Sequence, residues 1–305
     1  SFSWDKKNSA SSFAKGNETA YIERDKRKSD SYVQGYLAHF LENEAALGNE
    51  DSYQLTKQLL PTLTLKEVET IGRRFYADQN RDIIILAPEK DKDKLPIEST
   101  VNTWLADVSK ENLTAYDDKV SDLPMLANQP GAKGTVVSSK TLEAIGTKEL
   151  VLSNGIKVLL KPTNFKNDQV LISSFSPGGT SVYSDVDYLS ASNASGLVNS
   201  SGLGQLNTAE LTKYLSGKNL NISPFITERS EGISGYTDKE GLKTAFEMIY
   251  GYFTEPRIDD EIFESNIAKK LAAMENREDD PSFVFGDTIR KTLYGNNIRR
   301  NSNTV

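Results

Sequence analysis

Residues 148–204 read KELVLSNGIKVLLKPTNFKNDQVLISSFSPGGTSVYSDVDYLSASNASGLVNSSGLG, and this stretch decides the fold. It opens with two β-rich runs, residues 149–153 and 156–161, joined by the pair Asn154-Gly155. An Asn-Gly pair in this setting predicts a β-hairpin with a type I′ turn, because both turn positions of that type need positive φ. A third β-rich run, residues 170–175, is expected to pair with the hairpin.

Small and apolar residues follow the Pro-Gly-Gly turn of residues 177–179 at helical spacing, and they are Leu189, Ala191, Ala194, Leu197 and Val198. This spacing predicts a helix over residues 189–201. We expect its Ala191, Ala194 and Val198 face to pack on the hairpin sheet. The unit then runs strand, turn, strand, strand, helix.

The string NGIKVLLKPT, a strand ending in PGGTS and a small-residue helix ending in SGLG together resemble the start of one half of the pitrilysin/insulinase-like (M16) zinc metallopeptidases. In that family two similar halves enclose a chamber, and one half carries an H-x-x-E-H zinc motif on this helix. With Gly204 aligned to the glycine that follows the motif, the two His and the Glu fall on Ser195, Asn199 and Val198. None of these side chains serves as a zinc ligand or base. The resemblance therefore implies the zinc-free half, or a member that has lost its metal.

The same resemblance places the third zinc ligand, a Glu, on a later helix that precedes an acidic-Pro break. The equivalent position falls around residues 271–274, or on Lys270 or Glu275 if the alignment shifts. A carboxylate without imidazoles binds zinc poorly. A hard cation such as calcium is an alternative occupant for Glu275, Glu278, Asp279 and Asp280, although a solvated acidic helix end is the favoured interpretation.

Composition limits the chemistry further. The chain has 305 residues, a formal net charge of -7, one His and no Cys. The charge balance argues against a nucleic-acid partner, and no apolar run approaches the roughly 20 residues of a membrane span. The lack of Cys removes disulfides and thiolate nucleophiles but leaves the compartment undetermined. The family resemblance alone suggests a bacterial periplasm or cell envelope.

The single imidazole, His39, lies in a run with helical spacing and has Glu42 nearby in sequence. The pair is a candidate relic of a zinc helix, but a surface or boundary pair is the favoured interpretation. Hydrolytic sites need more imidazoles or a base beside a nucleophile, so the chain alone is expected to be inactive. The Gly-rich runs at residues 176–180 and 202–204 lack phosphate-loop spacing and are expected to be turns.

The chain is expected to be α+β, with two sandwich-like domains of antiparallel-rich sheets bearing helices on one face. Residues 1–89 resemble the C-terminal part of an M16 domain. They are predicted to hold strands at residues 19–23 and 82–87 and helices from residue 29 or 30 to 48, 51–60 and 65–76. The last helix begins with a Thr64–Glu67 capping box. Residues 90–147 are predicted to form a partly helical linker, with one or two helices in residues 97–116 and an irregular stretch at 123–134.

Residues 148–305 resemble an M16-like domain without the zinc motif. Beyond Gly204, the pattern predicts a helix at residues 209–215 capped by Thr208, and a hairpin of residues 221–228 and 231–237. Further helices are expected at residues 239–254, 259–275 and 282–294.

Two functions are compatible with this pattern. The first is a non-catalytic middle portion of a zinc metalloendopeptidase, which lines the peptide-enclosing chamber while a missing N-terminal domain holds zinc. The second is an inactive M16-like binding or scaffold protein. The first is favoured; an H-x-x-E-H motif upstream in the full-length gene would distinguish them. The expected partners are the flanking domains of its own chain and peptide substrate, with no cofactor in this chain and zinc in the parent protein.

Overall fold

The structure is a computed structural model that describes residues 6–75, 81–87, 89–112, 121, 123–131, 133–275 and 277–302. These residues form a mixed α+β fold with ten α-helices and two small antiparallel sheets. The helices are α1 (Lys6–Ile22), α2 (Asp30–Glu42), α3 (Asn49–Leu59), α4 (Leu65–Arg74), α5 (Glu98–Val108), α6 (Tyr188–Ser200), α7 (Thr208–Leu215), α8 (Leu242–Thr254), α9 (Asp260–Glu275) and α10 (Pro281–Tyr294). The strands are β1 (Val136–Leu142), β2 (Thr147–Leu152), β3 (Lys157–Leu160), β4 (Val170–Ser173), β5 (Ser176–Pro177), β6 (Leu220–Ile226) and β7 (Ser230–Thr237).

Helices α2 to α4 confirm part of the predicted pattern; together with α1, which was not predicted, they are called the N-terminal helices. The Thr64–Glu67 capping box is present at the start of α4. The predicted end of that helix at residue 76 lies outside the described residues, as do residues 113–116 of the predicted linker helices. Helix α2 ends at Glu42 rather than near Gly48, because Asn43 adopts the left-handed conformation with φ 57°.

Both strands predicted in this segment are wrong. Residues 19–22 belong to α1, whose Tyr21 ring stacks on Tyr53 of α3 at 4.8 Å. Residues 82–87 form neither helix nor strand, and Leu86 is 91% exposed. An apolar run becomes a strand only when a neighbouring strand satisfies its backbone groups, and no strand in the described ranges pairs with it.

The predicted hairpin is confirmed, but its turn differs. Strands β2 and β3 pair antiparallel, and β1 adds to the other edge of β2. Gly155 has φ 87°, whereas Asn154 does not have positive φ, so the turn is not type I′. Leu152 N donates to Ile156 O at 2.9 Å and Gly155 N donates to Leu152 O at 2.8 Å. These bonds define a three-residue loop with glycine at the left-handed position.

The second sheet is organised around β7. Strand β6 pairs with one edge of β7 along its whole length, which confirms the second predicted hairpin. Strands β4 and β5 share the other edge of β7. The prediction that residues 170–175 pair with the first hairpin is therefore wrong. A β-rich composition predicts that a run pairs with another strand, but it does not predict which of two available sheet edges the run pairs with.

The buried core lies between the second sheet and its helices. It consists of Met125, Leu126, Leu203, Leu206, Leu211, Ile222, Ile233, Ala245, Met248 and Tyr252. Met125 and Leu126 come from the predicted irregular stretch, which indeed has no helix or strand in its described residues. Within the described ranges, no helix is both long and apolar enough to cross a membrane.

Candidate functional site

Helix α6 carries the three positions that the family resemblance aligns with the zinc motif. It begins after Asp187, whose carboxylate accepts a hydrogen bond of 2.7 Å from the Ser184 hydroxyl. The helix packs along β6 of the second sheet, so the expectation that it packs on the first hairpin is wrong. Ala191 is buried, but Ala194 is exposed. The predicted packing face is thus correct at Ala191 and wrong at Ala194.

The three aligned side chains lie in different surroundings. Ser195 is half-buried, Val198 packs against the core cluster and Asn199 is exposed. The Asn199 side-chain oxygen accepts a hydrogen bond of 3.3 Å from the Tyr252 hydroxyl of α8. Burial raises the pKa of that phenol above its ordinary value, so it remains a donor at neutral pH.

This donor set does not fit a zinc ion. A hydroxyl, an isopropyl group and a carboxamide replace the imidazoles and carboxylates that zinc takes from proteins. Ser195 and Asn199 offer hydrogen bonds instead, and they occupy one helical face because they are four residues apart. The chemistry available on this face is therefore recognition of polar groups such as a peptide backbone.

Helix α9 lies beside α6 and contacts it through Asn266, which sequence analysis did not identify, and through Lys270, which it did. The Asn266 amide donates to the Ser200 hydroxyl at 3.1 Å. Lys270, one of the candidate third-ligand positions, donates to the side-chain oxygen of Asn193. Since the higher-numbered α9 residue meets the lower-numbered α6 residue, the two helices run antiparallel at this contact. Asn266 therefore lies closer to Asn199 than the predicted third-ligand residues 271–274 do.

The other candidate ligands are not brought together. His39 is exposed, and its Nδ1–H donates to the backbone carbonyl of Glu44 at 2.6 Å rather than to Glu42. Asp280 accepts from the Ser282 backbone N–H at 2.8 Å and so caps α10. Across the described ranges, no three His, Cys, Asp or Glu side chains group in a way that would hold a metal ion. The calcium alternative therefore has no support in the described residues.

The prediction that the Gly-rich run at residues 176–180 forms a turn is wrong in part, because Ser176–Pro177 form β5 and Gly179–Val182 form a 3-10 helix. Two backbone N–H groups of the run are already engaged: Gly178 N donates to Arg229 O at 2.9 Å and Thr180 N donates to Thr227 O at 2.8 Å. The guanidinium of Arg299 binds the end of this run and the residues that follow it. It donates to Thr180 O at 2.9 Å, to Tyr183 O at 2.6 Å and to the Asp185 carboxylate at 2.7 Å. No sequence signal distinguishes Arg299 from other surface arginines, because its acceptors are mostly backbone carbonyls distant in sequence.

The Gly-rich run at residues 202–204 follows α6 and packs closely against the Met125 segment. Gly202 and Gly204 have positive φ, and a Cβ on Gly204 would lie 2.1 Å from the Met125 carbonyl oxygen. The adjacent Leu203 is fully buried. This run therefore serves close packing at the end of α6 and leaves no open cradle for a phosphate.

No protein-family model matches the chain. It is 27% identical over 281 residues to the zinc protease PQQL-like of Arabidopsis thaliana, which covers 92% of this chain and 27% of that protein. It is 21% identical over 258 residues to the probable zinc protease PqqL of Escherichia coli (strain K12), covering 83% of this chain and 27% of that protein.

The crystal structure of the periplasmic protease PqqL from Escherichia coli matches the fold with a TM-score of 0.51 at 19% identity. The match covers 94% of this chain and 32% of the PqqL chain. The fold is accordingly M16-like, and the chain spans about a third or less of the length of the proteins that it matches. The chain is a distant homologue of a part of the PqqL/M16-like zinc proteases.

Proposed function

We propose that this chain is a non-catalytic portion of a PqqL-like zinc protease. In this proposal it lines the chamber that encloses peptide substrates, while another part of the full-length protein holds zinc. The observation that supports the proposal is helix α6, which the family resemblance aligns with the zinc helix and which bears Ser195, Val198 and Asn199. The exposed small and polar residues of this helix, Ala194, Gly196 and Asn199, are suited to contact an extended peptide backbone.

The proposal also assigns each segment of the chain to a domain or to the linker. Residues 1–89 form the end of one domain, residues 90–147 the linker, and residues 148–305 the zinc-free domain. In support of a separate second domain, the buried core of the described residues contains no residue before Met125. The end of the linker contributes Met125 and Leu126 to that core. The Glu255 carboxylate stabilises this segment by accepting a hydrogen bond of 2.8 Å from Ala127 N.

The test compares the full-length protein with the 305-residue chain. We expect stoichiometric zinc and chelator-sensitive peptide cleavage in the full-length protein, and neither in the isolated chain. Elemental analysis and cleavage of a fluorogenic peptide library measure the two properties. Tight zinc or chelator-sensitive cleavage in the isolated chain contradicts the proposal. A full-length protein that binds peptides without zinc and without cleavage favours the binding or scaffold function instead.

A further inference from the structure

The second sheet, its helices α6 to α10 and the loop that leads into β4 are here called the second sheet unit (residues 166–302), and helix α1 contacts this unit through one face. Its Ser12 hydroxyl lies 3.2 Å from the Ser216 hydroxyl after α7, and Lys15 Nζ lies 3.1 Å from the Asp238 carboxylate after β7. The carbonyl of Ile22 accepts from the Asn167 amide at 2.8 Å. Since α-helical residues on one face recur every three to four positions, these contacts form a single seam along the helix.

The opposite face of α1 belongs to the N-terminal helices. Tyr21 stacks on Tyr53 of α3, and the Ser52 hydroxyl donates to the Asn17 side-chain oxygen at 3.2 Å. Helix α1 thus lies between α3 and the second sheet unit. The contact with α3 includes aromatic stacking, whereas the contacts named for the other face are hydrogen bonds and ion pairs.

The centre of the polar seam is a buried ion pair. The Lys15 side chain is 15% exposed and that of Asp238 is 4% exposed. The other Asp238 oxygen accepts from Gly241 N at 2.8 Å, so Lys15 supplies the partner for the remaining oxygen. Burial lowers the pKa of Lys15, but hydrogen bonds to Glu240, Asp238 and Glu18 outweigh it, and the pKa lies above its ordinary value. Lys15 therefore stays charged when it is docked.

A second polar cluster lies at the C-terminal end of α1. The Glu23 carboxylate, which belongs to a residue only 6% exposed, accepts from Asn167 N at 2.9 Å and from Asp168 N at 2.8 Å. The Asn167 amide also donates to Asp25 at 2.6 Å. This cluster satisfies helix-end carbonyl and carboxylate groups with donors from the β3–β4 loop.

We propose that α1 is a detachable strap that joins the N-terminal helices to the second sheet unit through the Lys15–Asp238 ion pair. Interfaces without a shared apolar core permit relative motion, and no residue of α1 belongs to the core cluster of the described residues. When the strap is released, α1 stays with α3, and Lys15 and Asp238 both regain water. Docking depends on the Lys15–Asp238 pair rather than on Glu240, whose side chain is 83% exposed, because an exposed ion pair adds little stability.

The absence of cysteine from the chain allows clean spin labelling. A label pair at Gln58→Cys and Glu264→Cys reports the distance between α3 and the second sheet unit by double electron–electron resonance. The parent is expected to give one narrow distribution of distances between the two labels. Lys15→Met leaves Asp238 buried without its cation, so the undocked, broadly distributed population should rise at least roughly tenfold. Glu240→Gln, which removes only the exposed partner of Lys15, is the matched control and should resemble the parent.

A second pair, Phe13→Cys and Gln58→Cys, separates release from unfolding, because it reports the α1–α3 distance. This distribution should stay narrow in Lys15→Met. The proposal is overturned if Lys15→Met leaves the α3-to-unit distribution unchanged, or if Glu240→Gln broadens it equally. The proposal is also overturned if the α1–α3 and the α3-to-unit distance distributions both broaden, since that result means that α1 has unfolded rather than detached.

Discussion

The Tyr252 hydroxyl donates a hydrogen bond of 3.3 Å to the side-chain oxygen of Asn199 and so joins α8 to the helix that aligns with the zinc motif. Tyr252 is 9% exposed, while Asn199 is exposed. One partner is thus fixed by the core and the other faces solvent. The contact gives Asn199 a structural partner in the core helix α8.

Tyr252→Phe is expected to lower the free energy of unfolding by about 0.5 kcal/mol, the lower end of the usual contribution of a hydrogen bond, because water can replace the exposed Asn199 partner. A double-mutant cycle with Asn199→Ala, followed by urea unfolding, measures the coupling. Tyr250→Phe on the same helix is the control, since in the described part of the chain no partner is seen for its hydroxyl. Equal effects of the two Tyr substitutions and zero coupling contradict this prediction.

Acid sensitivity is expected from Glu255, whose pKa is lowered by backbone hydrogen bonds from Ala127 and Asn128. A carboxyl group with a depressed folded-state pKa stabilises the fold above its unfolded value near 4.5, and this contribution is lost as pH falls through the lower folded value. Glu255→Gln should therefore show a smaller loss of stability than the parent between neutral pH and about pH 3. The urea midpoint of unfolding, measured across that pH range, reports this loss of stability. The exposed Glu261→Gln variant serves as the control. Identical pH profiles for parent and Glu255→Gln refute the assignment.

Much of the fold is predictable from local sequence. The capping box at Thr64, the hairpin at residues 147–160 and the helices α8 to α10 follow from capping residues, turn residues and apolar spacing, which act over a few residues. The failures are long-range. Residues 82–87 have strand composition but no partner, and residues 170–173 pair with β7 instead of the nearby hairpin. Pairing depends on which edge is within reach in the folded chain.

The candidate site shows the same limit. Sequence resemblance identifies the helix and its positions Ser195, Val198 and Asn199, but it does not identify what they contact. Tyr252 and Asn266 reach α6 from residues more than fifty positions away. Their sequence context is that of ordinary helical residues. The alignment of the three positions with the zinc motif itself stays a prediction.

Close packing at the end of α6 predicts a large effect at Gly204. Gly204→Ala places a Cβ 2.1 Å from the Met125 carbonyl oxygen at φ 55°, so it should cost more than about 1–3 kcal/mol of unfolding free energy. Gly196→Ala, in the middle of the same helix with open space around it, should instead stabilise by about 0.5–1 kcal/mol. Thermal and urea unfolding compare the two. A Gly204→Ala variant as stable as Gly196→Ala would show that the Met125 segment does not pack there.

Limited trypsin digestion is expected to cut first between residues 90 and 110. Lys92 and Lys110 form exposed pairs with Glu89 and Asp107, and pairs of this kind add little stability. Met125 and Leu126, at 3% and 2% exposure, should protect the chain that follows. Mass spectrometry of early fragments identifies the sites. First cuts within residues 188–254 are the result that this prediction does not allow.

The metal-motif alignment can be tested by restoring ligands. Ser195→His with Asn199→His places two imidazoles one turn apart on one face of α6, a spacing that suits zinc. We expect zinc affinity measurable by calorimetry against a low background, since the parent has one His and no Cys. Val198 is left unchanged because a carboxylate there would enter the core side of the helix. Ala194→His with Asn199→His supplies the same number of imidazoles on different faces and should bind more weakly.

A third ligand on α9 then distinguishes the two registers between the helices. The Asn266 amide lies 3.1 Å from the Ser200 hydroxyl, next to position 199, so Asn266→Glu added to the imidazole pair should tighten zinc binding further. Leu271→Glu, at the position that sequence alignment favours, should not, because the antiparallel contact of Lys270 with Asn193 carries residue 271 away from Asn199. If Leu271→Glu tightens binding and Asn266→Glu does not, the observed α6–α9 register is wrong and the aligned one is right. If the imidazole pair binds no better than its mismatched control while the fold stays intact, the face of α6 does not correspond to the metal site of the family.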